Sequence, residues 1–363
     1  MRVLRAVGCT LTLPSPTSWE REVVTLRLLA DDLTGALDSA ARFVPLVGAV
    51  PVSWRAGDLP PTAAVDAGTR DLDAAAARTI MARLAPRLAG ADIAFKKIDS
   101  LLRGHVAVEL AACMRHFDHC VLAPAFPFQG RITRGGRQLS RDGDHWRDCG
   151  VDLPAELRAC GLAVPMHDAE TDADLDAIVA AGRTLPGRVL WCGTGGLAGA
   201  LASSRMVPCP TLPRPFLALI GSDHSVSAGQ LAATRDRLHR IATGEADEVV
   251  AIRRTLRSGA AAVCVALPRG TPRPEAAQHI GSRFAALLMA IDRPGTLVVA
   301  GGETLRRLCD SLGVMGLEVD GEVVPGVPTS ILRGGAWDGQ RVVSKSGAFG
   351  EAGFLAQLFA HSY

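Results

Sequence analysis

The chain has 363 residues, 48% hydrophobic and 21% charged, which supplies the cores of two domains at the usual size of about 100–200 residues. Its 39 basic and 37 acidic residues nearly cancel, no basic block occurs and aromatics make up 4%, so neither a nucleic-acid surface nor a base-stacking platform is expected. No apolar run approaches the roughly 20 residues of a membrane helix, and the nine cysteines form no CxxC pair, which fits reduced thiols in a cytoplasmic protein.

Residues 1–22 carry a faint secretion pattern, with Arg2 and Arg5 ahead of Ala6, Val7 and Gly8. Thr10, Thr12 and Pro14 break the apolar stretch, so the segment reads as a loose extension. Short apolar runs then alternate with helical patterns. Strands are expected at 25–30, 63–67, 93–98, 120–123 and 189–192, and helices at 33–43, 72–88, 106–116, 173–183 and 197–203. Continuous apolar strands separated by helices predict a mostly parallel sheet covered on both faces. Pro208, Pro210, Pro213 and Pro215 crowd the segment 206–215, where neither a helix nor a central strand can continue. A linker there divides an α/β domain at 23–205 from a second α/β domain at 216–363. The second domain is read as strand 216–220, helix 225–241, strand 261–267, helix 274–291, strand 296–300 and helix 304–312. Short strands after residue 316 and a helix from Glu351 complete it, and the active site is expected in the cleft between the domains.

In open α/β sheets, ligands bind beyond the carboxyl ends of the strands, and chemically useful residues collect there. The first strand runs into Asp31 and Asp32. An N-cap accounts for one acid but not two, so the pair is expected to accept from substrate hydroxyls, with one acting as a base. Arg70 ends the next strand. Lys96–Lys97–Ile98–Asp99–Ser100 follows, with period-two geometry placing Lys97 and Asp99 on one face and Lys96 on the other. Ser100 stands where an N-cap is expected, which puts Arg103 in a helix's first turn, where a cation needs an anionic partner. Lys97 and Arg103 suit a carboxylate or phosphate, Asp99 suits a hydroxyl, and the proline-stiffened loop ending at Arg131 adds another cation. Together these residues fit a small, polyhydroxylated anion.

The second domain repeats one device three times. Gly301 and Gly302 follow a strand and lead through Glu303 and Thr304 into a helix, where free N–H groups can meet phosphate. Gly221 to Ser227 and Ser344 to Gly350 are similar glycine and hydroxyl turns, and the three together suggest a nucleotide cradle. No GxxxxGK[ST] occurs, so this is not a P-loop protein. Gly193-Thr194-Gly195-Gly196-Leu197-Ala198 matches GxGxxA, yet no Asp or Glu follows before Ser222 to hold a ribose, which weakens a dinucleotide reading. Cys113, His116, His119 and Cys120 have metal-like spacing, but a helix-to-strand change near His119 would scatter them, so no metal ligand set is assigned.

In this order the motifs resemble the four-carbon acid sugar kinases, a family that includes threonate, erythronate and oxo-tetronate kinases. The matching elements are ADDLTGA at 30–36, TR at 69–70, KKIDSLLRG at 96–104, PAFPFQGR at 124–131, DAET at 168–171, GTGGLAGAL at 193–201, GS…Q at 221–230, GGET at 301–304, PGVP at 325–328 and KSGAFG at 345–350. The resemblance implies ATP-dependent phosphorylation of a sugar-acid hydroxyl, with the acid on the N-terminal domain and ATP on the C-terminal one; phosphoryl transfer of that kind leads us to expect Mg²⁺ shared between ATP and a carboxylate. It implies acid contacts at Asp31 or Asp32, Arg70, Lys97, Asp99 and Ser100, and ATP contacts at Ser222, Gly301, Gly302, Glu303, Thr304 and Gly347. The chain departs from the family pattern at Glu303, where Asp is usual, and at Leu101, where Thr is usual. It also carries His224 and Ser227 where Ser and Thr are common, and the region 135–152 is shortened.

The resulting expectation is a kinase in which Lys97, Arg70 and Arg103 hold the carboxylate and Asp31, Asp32 or Asp99 takes the hydroxyl proton. The two domains would close across the proline-rich segment. Its partners are a small sugar acid and ATP, and a homo-oligomer is compatible with the sequence. An NAD(P)-dependent oxidoreductase using the glycines at 193–196, or a non-catalytic sugar-acid sensor, are the alternatives.

Overall fold

The computed structural model describes residues 24–55, 57–203, 206–242, 246–268 and 270–360, and the extension expected over residues 1–22 lies outside them. The chain opens with β1 (Leu26–Ala30), α1 (Leu33–Val47), β2 (Val50–Ser53), β3 (Ala63–Asp66), α2 (Ala74–Leu84), β4 (Ile93–Lys97), α3 (Val106–Cys113) and β5 (His119–Ala123). An antiparallel excursion follows: β6 (Arg131–Arg134), β7 (Arg137–Asp142) and β8 (His145–Asp148). Then come α4 (Leu153–Ala159), α5 (Asp172–Gly182), β9 (Val189–Gly193) and α6 (Gly195–Leu201). Beyond the proline-rich segment lie β10 (Phe216–Ile220), α7 (Ser225–Ala233), β11 (Leu238–Ile241), α8 (Ala246–Leu256), β12 (Ala260–Val265) and α9 (Arg273–Ala290). The chain ends with β13 (Thr296–Ala300), α10 (Gly302–Ser311), β14 (Gly316–Val324), β15 (Val327–Arg333), β16 (Arg341–Lys345) and α11 (Phe354–Ala360).

The fold is α/β and mostly parallel. Strands such as Leu26–Ala30, Phe216–Ile220 and Thr296–Ala300 are apolar at nearly every position because helices cover both faces of the sheet. The two halves share a single 13-stranded sheet, ordered β11-β12-β10-β13-β16-β15-β14-β2-β3-β1-β4-β9-β5. The join is antiparallel, β14 to β2, through Leu317 opposite Val52, Glu318 opposite Pro51 and Val319 opposite Val50. Helix α1 lies across this seam, packing on β1, β2 and β3 of one half and on β14, β15 and β16 of the other. One apolar core accordingly runs from Leu28 and Phe43 to Leu305 and Val342. At the seam Arg42 of α1 forms a buried ion pair with Glu322 of β14 at 2.7 Å.

Several local expectations are corrected. No helix begins after Ser100: α3 starts at Val106, behind His105, and residues 99–104 form a loop in which Leu102 takes a φ of 60°. The helix expected over 225–241 ends at Ala233, where Thr234 Oγ1 donates to the carbonyls of Gln230 and Leu231, and Leu238–Ile241 is an edge strand. The helix expected over 72–88 is α2 followed by a 3₁₀ turn at Ala85–Leu88, where Pro86 removes a donor. Strands β2, β6, β7 and β8 and helices α4 and α8 were not anticipated.

The dinucleotide-like glycines are packing residues. A Cβ at Gly193 would collide with the Ala123 carbonyl oxygen, and one at Gly196 would lie 2.6 Å from that of Ala125. Thr194 and the whole of α6 are buried, which leaves no room for a cofactor at that turn. Cys113 is buried on α3, and Cys120 lies against Cys192, whose hydrogen bond together with burial pushes the Cys120 thiol well up. Among the described residues, no group of three or more His, Cys, Asp or Glu is arranged to hold a metal.

Candidate active site

At the carboxyl ends of β1, β3 and β4, three aspartates converge on one guanidinium. Arg70 donates from Nε to Asp31 Oδ2 at 2.7 Å, from Nη2 to Asp31 Oδ1 at 2.8 Å and from Nη1 to Asp32 Oδ2 at 2.5 Å. Its Nη1 also lies 3.7 Å from Asp99 Oδ1. Asp99 is held further by Arg103, Nε to Oδ2 at 2.9 Å and Nη2 to Oδ1 at 2.7 Å, and by the backbone N–H groups of Leu101 and Arg103. Arg103 therefore has the anionic partner that its charge required, but in a loop and from Asp99. Lys96 and Lys97 leave β4 on opposite faces. Lys96 pairs with Glu109 of α3 at 2.7 Å, fully buried. Lys97 reaches under the first turn of α1, where a Cβ on Gly35 would come within 3.0 Å of its Nζ.

The three carboxylates are electrostatically unlike. Burial alone would raise all of them. Asp99 is nevertheless held well below the usual carboxylate range by the Arg103 hydrogen bonds and by the charges of Arg70, Arg103 and Lys97. Asp31 is also lowered: Arg70, with Lys96 and Lys97, outweighs its burial. Asp32 goes the other way. Burial and the neighbouring Asp31 charge raise it despite Arg70 and Lys97. Its side chain is 26% exposed, against 4% for Asp31 and 8% for Asp99. Asp32 is also the N-cap of α1, Oδ1 accepting from Gly35 N at 2.8 Å, so one residue serves both roles that the sequence kept apart.

The three glycine turns of the second half converge as well. Gly347 approaches Ser222 so closely that a Cβ there would overlap Ser222 Oγ, and Ser227 Oγ donates to the Gly347 carbonyl at 2.9 Å. Gly301 N donates to the Lys345 carbonyl at 3.0 Å, and Gly301 takes a φ of 112°, open to glycine and strained for other residues. Thr304 is buried against Gly221, whereas Glu303 stands exposed and pairs with Arg307 at 2.7 Å. Lys345 Nζ is buried and donates to the Ser346 carbonyl at 2.9 Å; burial pulls its pKa down to about 8.

The two clusters touch. A Cβ on Gly302 would overlap Oγ1 of Thr34, two residues past Asp32. Gln129 Nε2, in the loop before Arg131, donates to the Pro325 carbonyl at 3.3 Å. Arg131 Nη1 donates to the Gln129 and Gly130 carbonyls, and its Nε is buried with no partner among the described residues. Ser100 offers its carbonyl to Gln138 Nε2 at 2.9 Å. Gln138 also reaches the Pro124 carbonyl, so the three-stranded excursion braces the loop that carries Asp99 and Arg103.

Sequence reasoning passed over several residues of this arrangement: Glu109 beneath Lys96, Gln138, and the pair Asp66–Arg306 that spans the halves at 3.0 Å. Asp66 had a signal, being an acid at the end of a strand that leads to Arg70. Arg306 and Gln138 had none, since a polar residue on an amphipathic helix or a hydrophilic strand reads as solvent-facing.

Residues 26–148 match the family described as sugar-binding N-terminal domain, and residues 217–355 match the one described as nucleotide-binding C-terminal domain. A D-threonate kinase of Cupriavidus necator is 32% identical over 90% of this chain and 95% of its own length. A D-threonate kinase of Bordetella bronchiseptica is 28% identical over the same shares, 90% and 95%. Among solved structures, a Salmonella typhimurium LT2 protein described as a tRNA synthase has a TM-score of 0.70 at 19% identity, covering 93% of this chain and 99% of that one, a likeness of fold alone.

Proposed function

The chain belongs to the four-carbon acid sugar kinases, ATP-dependent phosphotransferases acting on a sugar-acid hydroxyl, and from that premise we propose that its substrate is D-threonate or a close stereoisomer. The acid lies on the half at 23–205, ATP on the half at 216–363, and the segment 206–215 links them. The observation that carries this reading is the contact of Gly302 with Thr34, which sets the glycine turn of α10 beside Asp32.

Phosphoryl transfer demands positioning and charge neutralisation more than covalent help. Arg103, whose side chain is 59% exposed, receives the substrate carboxylate, with Arg131 and Lys97 as flanking cations. Arg70 acts differently. Its donors are taken up by Asp31 and Asp32 and its side chain is only 14% exposed, so it fixes the acids, whereas Arg103, though bonded to Asp99, stays open to the substrate. Asp31 and Asp99 accept from substrate hydroxyls. Asp32 takes the proton of the acceptor hydroxyl, because a general base works best with a pKa close to the working pH, and it alone of the three is both raised and accessible. The N–H groups opening α10 receive phosphate oxygens, helped by Ser222 and by the close backbone of Gly347. Mg²⁺ enters such sites through one or two carboxylates and the phosphates themselves. Exposed Glu303 would hold it, and it would neutralise the transferring phosphoryl group. Dependence on ATP supports a cytoplasmic site of action.

The test is ADP release measured over a panel of four-carbon sugar acids, with the phosphorylated position fixed by NMR of the product. D-threonate is expected to give the highest kcat/KM. Equal turnover of neutral tetritols, or ADP release that ignores the acid, overturns the assignment.

A further inference from the structure

Arg306 lies one turn into α10, the helix whose first residues form the phosphate turn of the preceding reading. Its guanidinium nevertheless points into the other half. Nη1 donates to Asp66 Oδ2 at 3.0 Å, Nε donates to Asp310 Oδ2 at 3.2 Å, and the group stacks on Trp54 with its centre 4.9 Å from the ring. Asp66 ends β3, and Trp54 follows β2 and donates from Nε1 to Asp310 at 3.3 Å. Elements of the acid-binding half therefore grip one helix of the nucleotide half.

The grip continues to the reacting groups. The second oxygen of Asp66 accepts from Gly68 N at 2.8 Å, and Gly68 takes a φ of 62° in the turn that delivers Arg70. The backbone N–H groups of Thr69 and Arg70 bond the Asp31 carbonyl, and the Arg70 side chain orients Asp31 and Asp32. Arg306, Asp66, the turn 66–70 and Asp32 thus form a continuous chain of hydrogen bonds.

Asp66 is poorly suited to a purely structural post. Its side chain is 3% exposed, and the charges facing it are Asp31 and Asp32 from the start of α1 and Arg306 from α10. Burial and the two neighbouring aspartates push its carboxyl up to about 6, against the pull of the Gly68 N–H and Arg306. A charge kept at such a position is a mark of a functional group.

We propose that the Asp66–Arg306 ion pair is a positioning strut, which holds the phosphate turn of α10 against Asp32 so that transfer occurs only with both halves drawn together. The proposal rests on the assignment of that turn to ATP. Because the strut touches neither ligand, its loss lowers kcat while leaving ground-state binding alone, the pattern of a misplaced near-attack geometry.

The experiment compares wild type with Asp66→Asn, Arg306→Gln and the conservative Arg306→Lys. It records kcat, KM for D-threonate and the Kd of a non-hydrolysable ATP analogue, with thermal unfolding to confirm that each variant folds. Asp66→Asn and Arg306→Gln are expected to lose kcat by about 10- to 100-fold with both ligand constants within about twofold, and Arg306→Lys to recover part of the loss. In wild type, kcat should fall as pH drops through about 6 and Asp66 becomes neutral, and Asp66→Asn should lose that contribution and keep only the acid limb set by the base Asp32. Unchanged kcat in both Asp66→Asn and Arg306→Gln overturns the strut. So does a loss of kcat matched by equal losses of affinity for both ligands, which marks a merely structural role. A wild type that releases no ADP with any acid removes the underlying reading together with the strut, and that result appears before any variant is made.

Discussion

Three aspartates at one strand edge look interchangeable in sequence, yet their surroundings divide them. Asp99 is tied by two guanidinium groups and two backbone N–H groups, so it is a poor proton acceptor and a good anchor. Asp32, raised and partly open, is the better base. Asp32→Asn is expected to reduce kcat by about 10²- to 10³-fold with little change in ATP affinity, in line with the loss of general-base help. Asp99→Asn should act mainly on KM for the acid, because the amide keeps the backbone bonds but loosens Arg103. Steady-state kinetics on the two variants decides between them: a kcat loss confined to Asp99→Asn would return the base to that residue. The sequence showed that acids and cations gather here. It could not show which cation serves which acid, since Arg70 in a TR dipeptide looks the same whether it meets substrate or Asp31.

The elements that carry the site were legible where periodicity was strong and turn glycines were informative. The strand–glycine–helix junctions at Gly221, Gly301 and Gly347 are such cases, and their convergence makes a sharp prediction. Gly347→Ala would drive a methyl group into Ser222 Oγ, where there is no space for one, so one of the two loops must move. Overpacking of this kind costs about 1–3 kcal/mol. The variant should raise KM for ATP by about 10-fold or more, a displacement worth about 1.4 kcal/mol, and leave KM for the sugar acid within about twofold. Parallel titrations of both substrates check this, and an unaltered ATP titration would remove Gly347 from the cradle. The excursion β6–β8 was illegible by period because its strands are hydrophilic and mostly solvated. Its turn signal was present: Gly135 and Gly136 both take positive φ between β6 and β7, as a two-residue hairpin turn demands. Edge strand β11 was absorbed into a helix because Leu238–Ile241 is only four residues long with a polar face.

At the scale of the whole molecule the sequence indicated two halves, and the structure adds how they join. The seam depends on β2, a four-residue strand containing Pro51 that reads as a loop, and on its tertiary pairing with β14. It depends equally on α1, which packs on both halves and holds Arg42 against Glu322 with side-chain exposures of 9% and 5%. Asp38, also buried on α1, adds to the charge there, and burial together with the like charge of Asp38 raises Glu322 against the pull of Arg42. Such a pair contributes little net stability while intact, but breaking it leaves one charge uncompensated. Arg42→Met is therefore expected to lower unfolding stability by about 3–5 kcal/mol, whereas Arg42→Met with Glu322→Leu should recover much of that loss. Urea unfolding of the two single variants and the double variant completes the cycle. Strict additivity would mean that the halves are held by the sheet pairing and the apolar core alone, and that the buried charges do not couple across the seam. A non-additive result makes α1 the element through which the two substrate-binding halves are fastened, with Asp32 capping its N-terminus and Arg42 about three turns further along.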